Sequence, residues 1–280
     1  GTISISYENQ SSEIIEPPFD RLDIEADSET YQLTFRQPIV LKPNTEFALG
    51  LTASRRESQT SILGENFPLS RGANSRGETK LSTITFFQDW LKRGENQIFA
   101  ARSEFNFGLD AFDATVNNSG PDGRFFSWQG QAQFVRRLDD NNTLLFVRGN
   151  LQLTPDELVG LEQFGLGGLQ SVRGYRQDAR LTDNGVLGTL ELRLPISGIS
   201  NNNRRISVVP FVDAGAGWNN GDNDAPTPNV LASMGLGLQA IFGDDLRMRF
   251  DYAMPLVEID SRDRTLQENG LYFSLELNPF

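Results

Sequence analysis

In the stretch Asp245-Leu246-Arg247-Met248-Arg249-Phe250-Asp251-Tyr252-Ala253-Met254, the even positions are Leu, Met, Phe, Tyr and Met, while Arg247, Arg249 and Asp251 stand between them. A two-residue period belongs to an extended strand with one apolar and one polar face. The same alternation runs through residues 97–109, where Phe99, Ala101, Phe105, Phe107 and Leu109 face one way and Arg102, Glu104 and Asn106 the other. Phe126, Trp128, Ala132 and Phe134 alternate with Gln129, Gln131 and Gln133, and Leu271, Phe273, Leu275 and Leu277 with Tyr272, Ser274, Glu276 and Asn278. No comparable 3.6-residue stripe is sustained, so no long helix is predicted.

Extended outward from these stretches, the two-residue period predicts about twelve strands. They fall near residues 2–8, 29–37, 45–56, 79–90, 96–109, 124–137, 143–153, 186–195, 205–217, 229–242, 245–256 and 270–279. Connections at 37–44, 91–95, 138–142, 196–204 and 243–244 are short and turn-like; those at 9–28, 57–78, 110–123, 154–185, 218–228 and 257–269 are long. Short and long connections in strict alternation are the layout of an outer-membrane barrel, with tight periplasmic turns and long external loops. A soluble sandwich has no reason to keep its long loops at one end. The mean hydropathy of −0.38 does not oppose a barrel, because alternation cancels an apolar face against a polar one. No segment approaches the roughly 18 apolar residues that a spanning helix needs. Arg, Glu, Gln, Asn and Asp on the polar faces suit a wet lumen and are costly against hydrocarbon, so the apolar faces are assigned to lipid. Trp90, Trp128, Trp218 and Tyr252 fit interfacial girdles but equally fit ordinary sheet aromatics.

The 280 residues carry a net charge of −12 and contain neither Cys nor His. There is therefore no disulfide framework, no thiolate nucleophile, no Ser-His-Asp triad and no His ligand for a metal. The acidic balance and the lack of a basic tract argue against nucleic acid. Neither a catalytic residue nor a cofactor nor a metal is expected. The acidic run Asn219 to Asp224 lacks the Glu of a calcium loop, and the pairs Asp110/Asp113 and Asp139/Asp140 sit at strand ends where turn residues belong. Pro17-Pro18 is likewise read as loop chemistry. The sequence opens at Gly1 without Met or a signal-peptide pattern, so a trimmed precursor or a fragment is expected.

The longest connection, 154–185, is unlike the others. It is rich in glycine, which lets a backbone fold tightly and approach a wall closely. It lacks the Gly-Lys-Ser/Thr ending of a phosphate loop. Leu161, Phe164, Leu166, Leu169, Val172 and Tyr175 give it enough apolar content to pack rather than stay disordered.

Within it, Val172-Arg173-Gly174-Tyr175 resembles the motif of the large surface loop shared by BamA-like outer-membrane assembly factors and the TpsB transporters of two-partner secretion, the FhaC/ShlB haemolysin secretion and activation family. Phe211-Val212-Asp213-Ala214-Gly215, on the second strand after the loop, resembles the partner F-x-D-x-G motif of that superfamily. The resemblance implies a transmembrane antiparallel up-and-down barrel in which the loop folds back into the lumen and Arg173 meets Asp213. Strand parity independently puts Phe211 and Asp213 opposite Val208, Val212 and Ala214, and sends Glu191 and Arg193 into the same lumen. An arginine entering there could bond Asp213 or Glu191 through both prongs of its guanidinium; the alternative is an Arg173 solvated on an external loop.

The family barrel has 16 strands, an even number as such barrels require, and its motif loop follows strand 11. Residues 1–280 thus resemble the C-terminal barrel portion, strands 5 to 16, with 154–185 as the lumen-inserted loop and no counterpart of the periplasmic POTRA domains. Glu162-Gln163-Phe164-Gly165 and the terminal Glu268-Asn269-Gly270-Leu271-Tyr272-Phe273 resemble the TpsB branch. Phe280 resembles the terminal aromatic read by the barrel-assembly machinery, although it is out of step with outward Leu271 to Leu277. What the resemblance implies is an outer-membrane pore that passes an unfolded, β-rich TpsA-type exoprotein from periplasm to cell surface without ATP, with lipid and the assembly machinery as further partners. A BamA-like assembly factor is the alternative, followed by a passive porin or barrel enzyme and, last, a soluble β-sandwich.

Overall fold

A computed structural model describes residues 1–13, 19–196, 204–221, 226–243, 245–259 and 265–278. Twelve long strands pair antiparallel in one sheet, each with its neighbour in sequence. They are β1 (Thr2–Glu13), β2 (Ile24–Lys42), β3 (Thr45–Ile62), β5 (Glu78–Arg93), β6 (Gln97–Gly108), β7 (Phe126–Arg137), β8 (Leu144–Leu153), β11 (Asn184–Pro195), β12 (Arg204–Trp218), β13 (Val230–Phe242), β14 (Leu246–Pro255) and β15 (Leu271–Leu277). Three short strands lie in loops: β4 (Glu65–Asn66), β9 (Phe164–Leu166) and β10 (Arg180–Thr182). β1 and β15 are the outer edges of the sheet, and no pairing joins them among the described residues. The architecture is an all-β, up-and-down barrel sheet, and no described helix is long and apolar enough to cross a membrane.

All twelve expected strands are present, but four ends differ by five or six residues. β1 continues to Glu13 and β2 begins at Ile24, so the connection expected at 9–28 shrinks to 14–23, and β3 runs on to Ile62. In these extensions Ser11 pairs with Asp27 and Glu13 with Glu25. The outward face of β2 is acidic there, at Glu25, Asp27 and Glu29, so the apolar outward face vanishes while the backbone ladder continues. The turn expected at 37–44 tightens to Pro43-Asn44, because β2 passes Pro38 through a bulge between Pro38 and Val40. Proline has no N–H for the ladder, and a bulge is where a strand tolerates it.

On the last strands the exposed apolar side chains lie on one face. Val212 on β12, Met234, Leu236 and Leu238 on β13, Phe250, Tyr252 and Met254 on β14 and Phe273, Leu275 and Leu277 on β15 all stand exposed on the outside. Opposite them, Val209, Asp213, Ser233 and Asp251 are fully buried. An apolar exterior of this extent does not face water in a soluble monomer. Of the aromatics considered for girdles, Trp90 packs edge-on against Phe99, Trp128 donates to Ser103, and Trp218 and Tyr252 are exposed. Ala48, Leu81, Phe87 and Phe125 are buried along the earlier strands, and two clusters of buried apolar side chains form where the long loop meets the last five strands. One cluster comprises Leu166, Val172, Tyr175, Leu187 and Leu231, and another Phe211, Ala253 and Tyr272. These clusters pack a loop against a wall.

Candidate functional site

The connection between β8 and β11 enters the sheet's concave side as a small hairpin. β9 and β10 pair through Arg180↔Leu166 and Thr182↔Phe164, and the tip between them carries Val172, Arg173, Gly174 and Tyr175. Its approach depends on a missing side chain: a Cβ on Gly215 of β12 would stand 2.6 Å from Leu166 Cδ2. Gly174 is at φ +93°, in the left-handed region that favours glycine, and a Cβ there would stand 3.2 Å from Pro255 N.

Arg173 is 3% exposed and touches three carboxylates from three strands. Its Nε and Nη2 donate to the two oxygens of Asp213 at 2.7 and 2.9 Å. Nη1 donates to Glu191 Oε1 at 3.0 Å and to Asp251 Oδ2 at 3.2 Å, and the backbone N–H adds a bond to Asp213. The guanidinium lies over the Phe211 ring, 3.4 Å from its centroid. Arginine suits this position because its planar fork matches a carboxylate through two parallel bonds and its flat face stacks on an aromatic ring.

Charge balance extends beyond the loop. Arg249 of β14 donates to both Asp251 and Glu191, and Arg193 donates to Glu191. Three arginines thus meet three carboxylates, and the cation held among the acids is a side chain. Arg148 reaches the loop at Gln170 O, 2.8 Å away.

Tyrosines fasten the tip on either side of Arg173. The Tyr272 hydroxyl accepts from Gly174 N–H and donates to Tyr175 O, both at 2.7 Å. The Tyr175 hydroxyl stands 2.8 Å from Ala232 O and 2.9 Å from Val257 O, and Val172 fills the apolar cluster with Leu187 and Leu231. At the loop's outer end the fully buried Asp183 accepts from Leu158 N–H, Gln163, Arg71 and Asn220 N–H. Asn220 in turn donates to Thr154 O and Asp156 O. Glu162 reaches the opposite wall through Arg56, 3.2 Å away; burial pushes its carboxyl up, with Arg56 pulling it back.

The structure brings together Val172, Arg173, Gly174, Tyr175, Glu191, Phe211, Asp213 and Gly215, and places Arg193 against Glu191. Phe280, Pro17, Pro18 and the calcium-loop candidate from Asp222 to Asp224 lie outside the described residues. Asp139 caps its turn by accepting from Thr143. Asp251, Arg249 and Tyr272 were readable from sequence only as polar-face residues. Parity puts them in the lumen, but register decides which strand positions share a level. Nothing in the sequence marked Asp183 or Asn220 as the fastening of the outer end.

No significant sequence match is found among curated proteins. Among solved structures, the fold is similar to CdiB from Escherichia coli, with a TM-score of 0.76 and 21% identity over 98% of this chain and 49% of that one. CdiB from Acinetobacter baumannii is similar at TM-score 0.72 and 19% identity, over 98% and 47%. BamA from Haemophilus ducreyi lacking POTRA domains 1–3 is similar at 0.61 and 16%, over 98% and 61%. The chain thus spans about half the length of the CdiB structures it matches. The model of the haemolysin secretion/activation protein ShlB/FhaC/HecB family matches residues 2–240, and the chain belongs to that family of outer-membrane β-barrel proteins.

Proposed function

We propose that residues 1–280 are the C-terminal barrel portion, family strands 5 to 16, of a pore that exports an unfolded, β-rich exoprotein of the TpsA type from periplasm to cell surface without ATP. The observation that carries this reading is the ion cluster around Arg173, which holds a long loop against one wall of the lumen. A polar cavity of about 520 Å³ remains along the other wall, lined by residues such as Thr34, Ser54, Thr85 and Gln129. A bare pore has no use for so costly an insertion: each ion brought out of water loses several kcal/mol of hydration, recovered only through good geometry. Family membership and the CdiB-like fold support the same reading.

In this account no bond is made or broken. The polar wall supplies hydrogen-bonding partners to a passing chain, and the loop narrows the lumen and orders its outer mouth. Val172, Arg173, Gly174 and Tyr175 anchor the loop; Phe211, Asp213 and Gly215 receive it; Glu191 and Arg193 balance its charge. Phe280 is proposed as the assembly signal, with the barrel-assembly machinery and lipid as partners in biogenesis. Deletion of the gene is expected to leave the exoprotein in the periplasm, and complementation to restore it to the medium. Unchanged export in the deletion strain would refute the proposal.

A further inference from the structure

Three cavities follow the lumenal wall that the loop leaves free. One of about 520 Å³ lies against β2, β3, β5 and β6. Another of about 370 Å³ separates β7 and β8 from the loop, and a third of about 290 Å³ lies toward the turns beside Arg36 and Glu46. One column of side chains joins them. Gln129 lines the first two, Gln131 the second and third, and Gln133 the third. These glutamines occupy alternate positions of β7, and Gln131 stands opposite Asn150 of β8.

Most other polar groups of this wall are paired with each other. Thr34 bonds Thr52, Ser54 bonds Thr83, and Thr85 bonds Asn106. Asp89 is held by both Arg36 and Arg102, and Gln129 itself donates to Gln152. Gln131, Gln133 and Asn150 are different: among the described residues their side chains make no hydrogen bond, and Asn150 Oδ1 is buried without a partner. A buried carboxamide oxygen without a partner carries a desolvation cost, so that of Asn150 calls for an explanation, while Gln131 is exposed and Gln133 half-buried, and both present free carboxamides to the lumen.

We propose that the Gln129–Gln131–Gln133 column, with Asn150, is the surface on which an extended, uncharged segment of polypeptide is carried through the lumen; this rests on the pore reading above. A carboxamide offers one acceptor and two donors, the complement of a peptide group. Alternate positions of a strand repeat about every 6.8 Å, which is also the repeat of an extended chain lying beside it. Any register of that chain finds the same partners, so advancing by two residues exchanges one set of bonds for an equivalent one. Having no charge, the column forms no ion pair that would arrest the passenger, and the nearby arginines and acids neutralise one another.

The test is peptide block of single channels formed by the protein purified from outer membranes. The probe is an unfolded 20-residue peptide of Gly, Ser and Thr, compared with a neutral dextran of equal hydrodynamic size. Replacing Gln131, Gln133 and Asn150 together by Leu is expected to shorten peptide dwell times about tenfold, the equivalent of ~1.4 kcal/mol, with open conductance unchanged. Gln131→Asn with Gln133→Asn, which keeps the carboxamides, is expected to keep dwell times within about twofold. Equal dwell times in the wild type and the Leu variant would overturn the inference, as would equal block by dextran. A wild-type channel that conducts but is never blocked overturns the column and leaves the pore; a protein that never conducts overturns the pore reading itself.

Discussion

Arg173 concentrates the energetics of the site in one side chain. Lysine at this position would keep the charge but lose the fork that spans both oxygens of Asp213, along with the stacking on Phe211. Arg173→Lys is therefore expected to weaken the loop's attachment by about 1.5–3 kcal/mol, the worth of a hydrogen bond to a charged group, read as faster protease cleavage within 154–183. Cleavage at the wild-type rate would show that charge alone suffices. Tyr272→Phe removes one hydroxyl that serves two loop backbone groups. It is expected to cost about 1–3 kcal/mol through the donor left unpaired at Gly174, measured by the same cleavage. At this scale the sequence disclosed Arg173, Glu191 and Asp213 through motif and parity. Asp251 and Tyr272 stayed hidden among ordinary polar-face residues, because alternation gives a side chain's face and says nothing about its height in the barrel.

Among the elements, the hairpin of β9 and β10 depends on β12 having no side chain at position 215. Gly215→Leu would drive its side chain into the space of Leu166 and is expected to displace the hairpin while leaving the sheet intact. Single-channel recording should show larger conductance for this variant, and larger still on deletion of 154–185; conductance unaffected by that deletion would favour a passive porin. The strands themselves were legible because lipid and lumen impose opposite chemistry on alternate residues. That contrast ends where a strand leaves the membrane. β2 has 19 residues, whereas about 9–11 tilted residues cross a bilayer. In its first stretch the outward residues are Glu25, Asp27 and Glu29, so the apolar outward face that marks a lipid-facing strand is missing there. The loop's short strands were unreadable for another reason, since three-residue pairings held by tertiary contacts leave no periodic trace.

For the whole molecule, the apolar exterior and the segregation of loop lengths define which way the protein sits. The chain has no cysteine, so single-cysteine variants report orientation directly. Asp27→Cys, at the end with the long connections, is expected to react with an impermeant maleimide on intact cells. Asp139→Cys, in a short turn, is expected to react only after the outer membrane is permeabilised, and the reverse pattern would invert the barrel. Within that frame the buried charges of the last five strands hold the loop, and a cavity remains along the polar wall of the others. The decisive measurement is export by Arg173→Ala, normalised to the amount of folded barrel judged by heat-modifiable migration. The account predicts a folded barrel with export abolished; a folded barrel exporting at the wild-type level would contradict it.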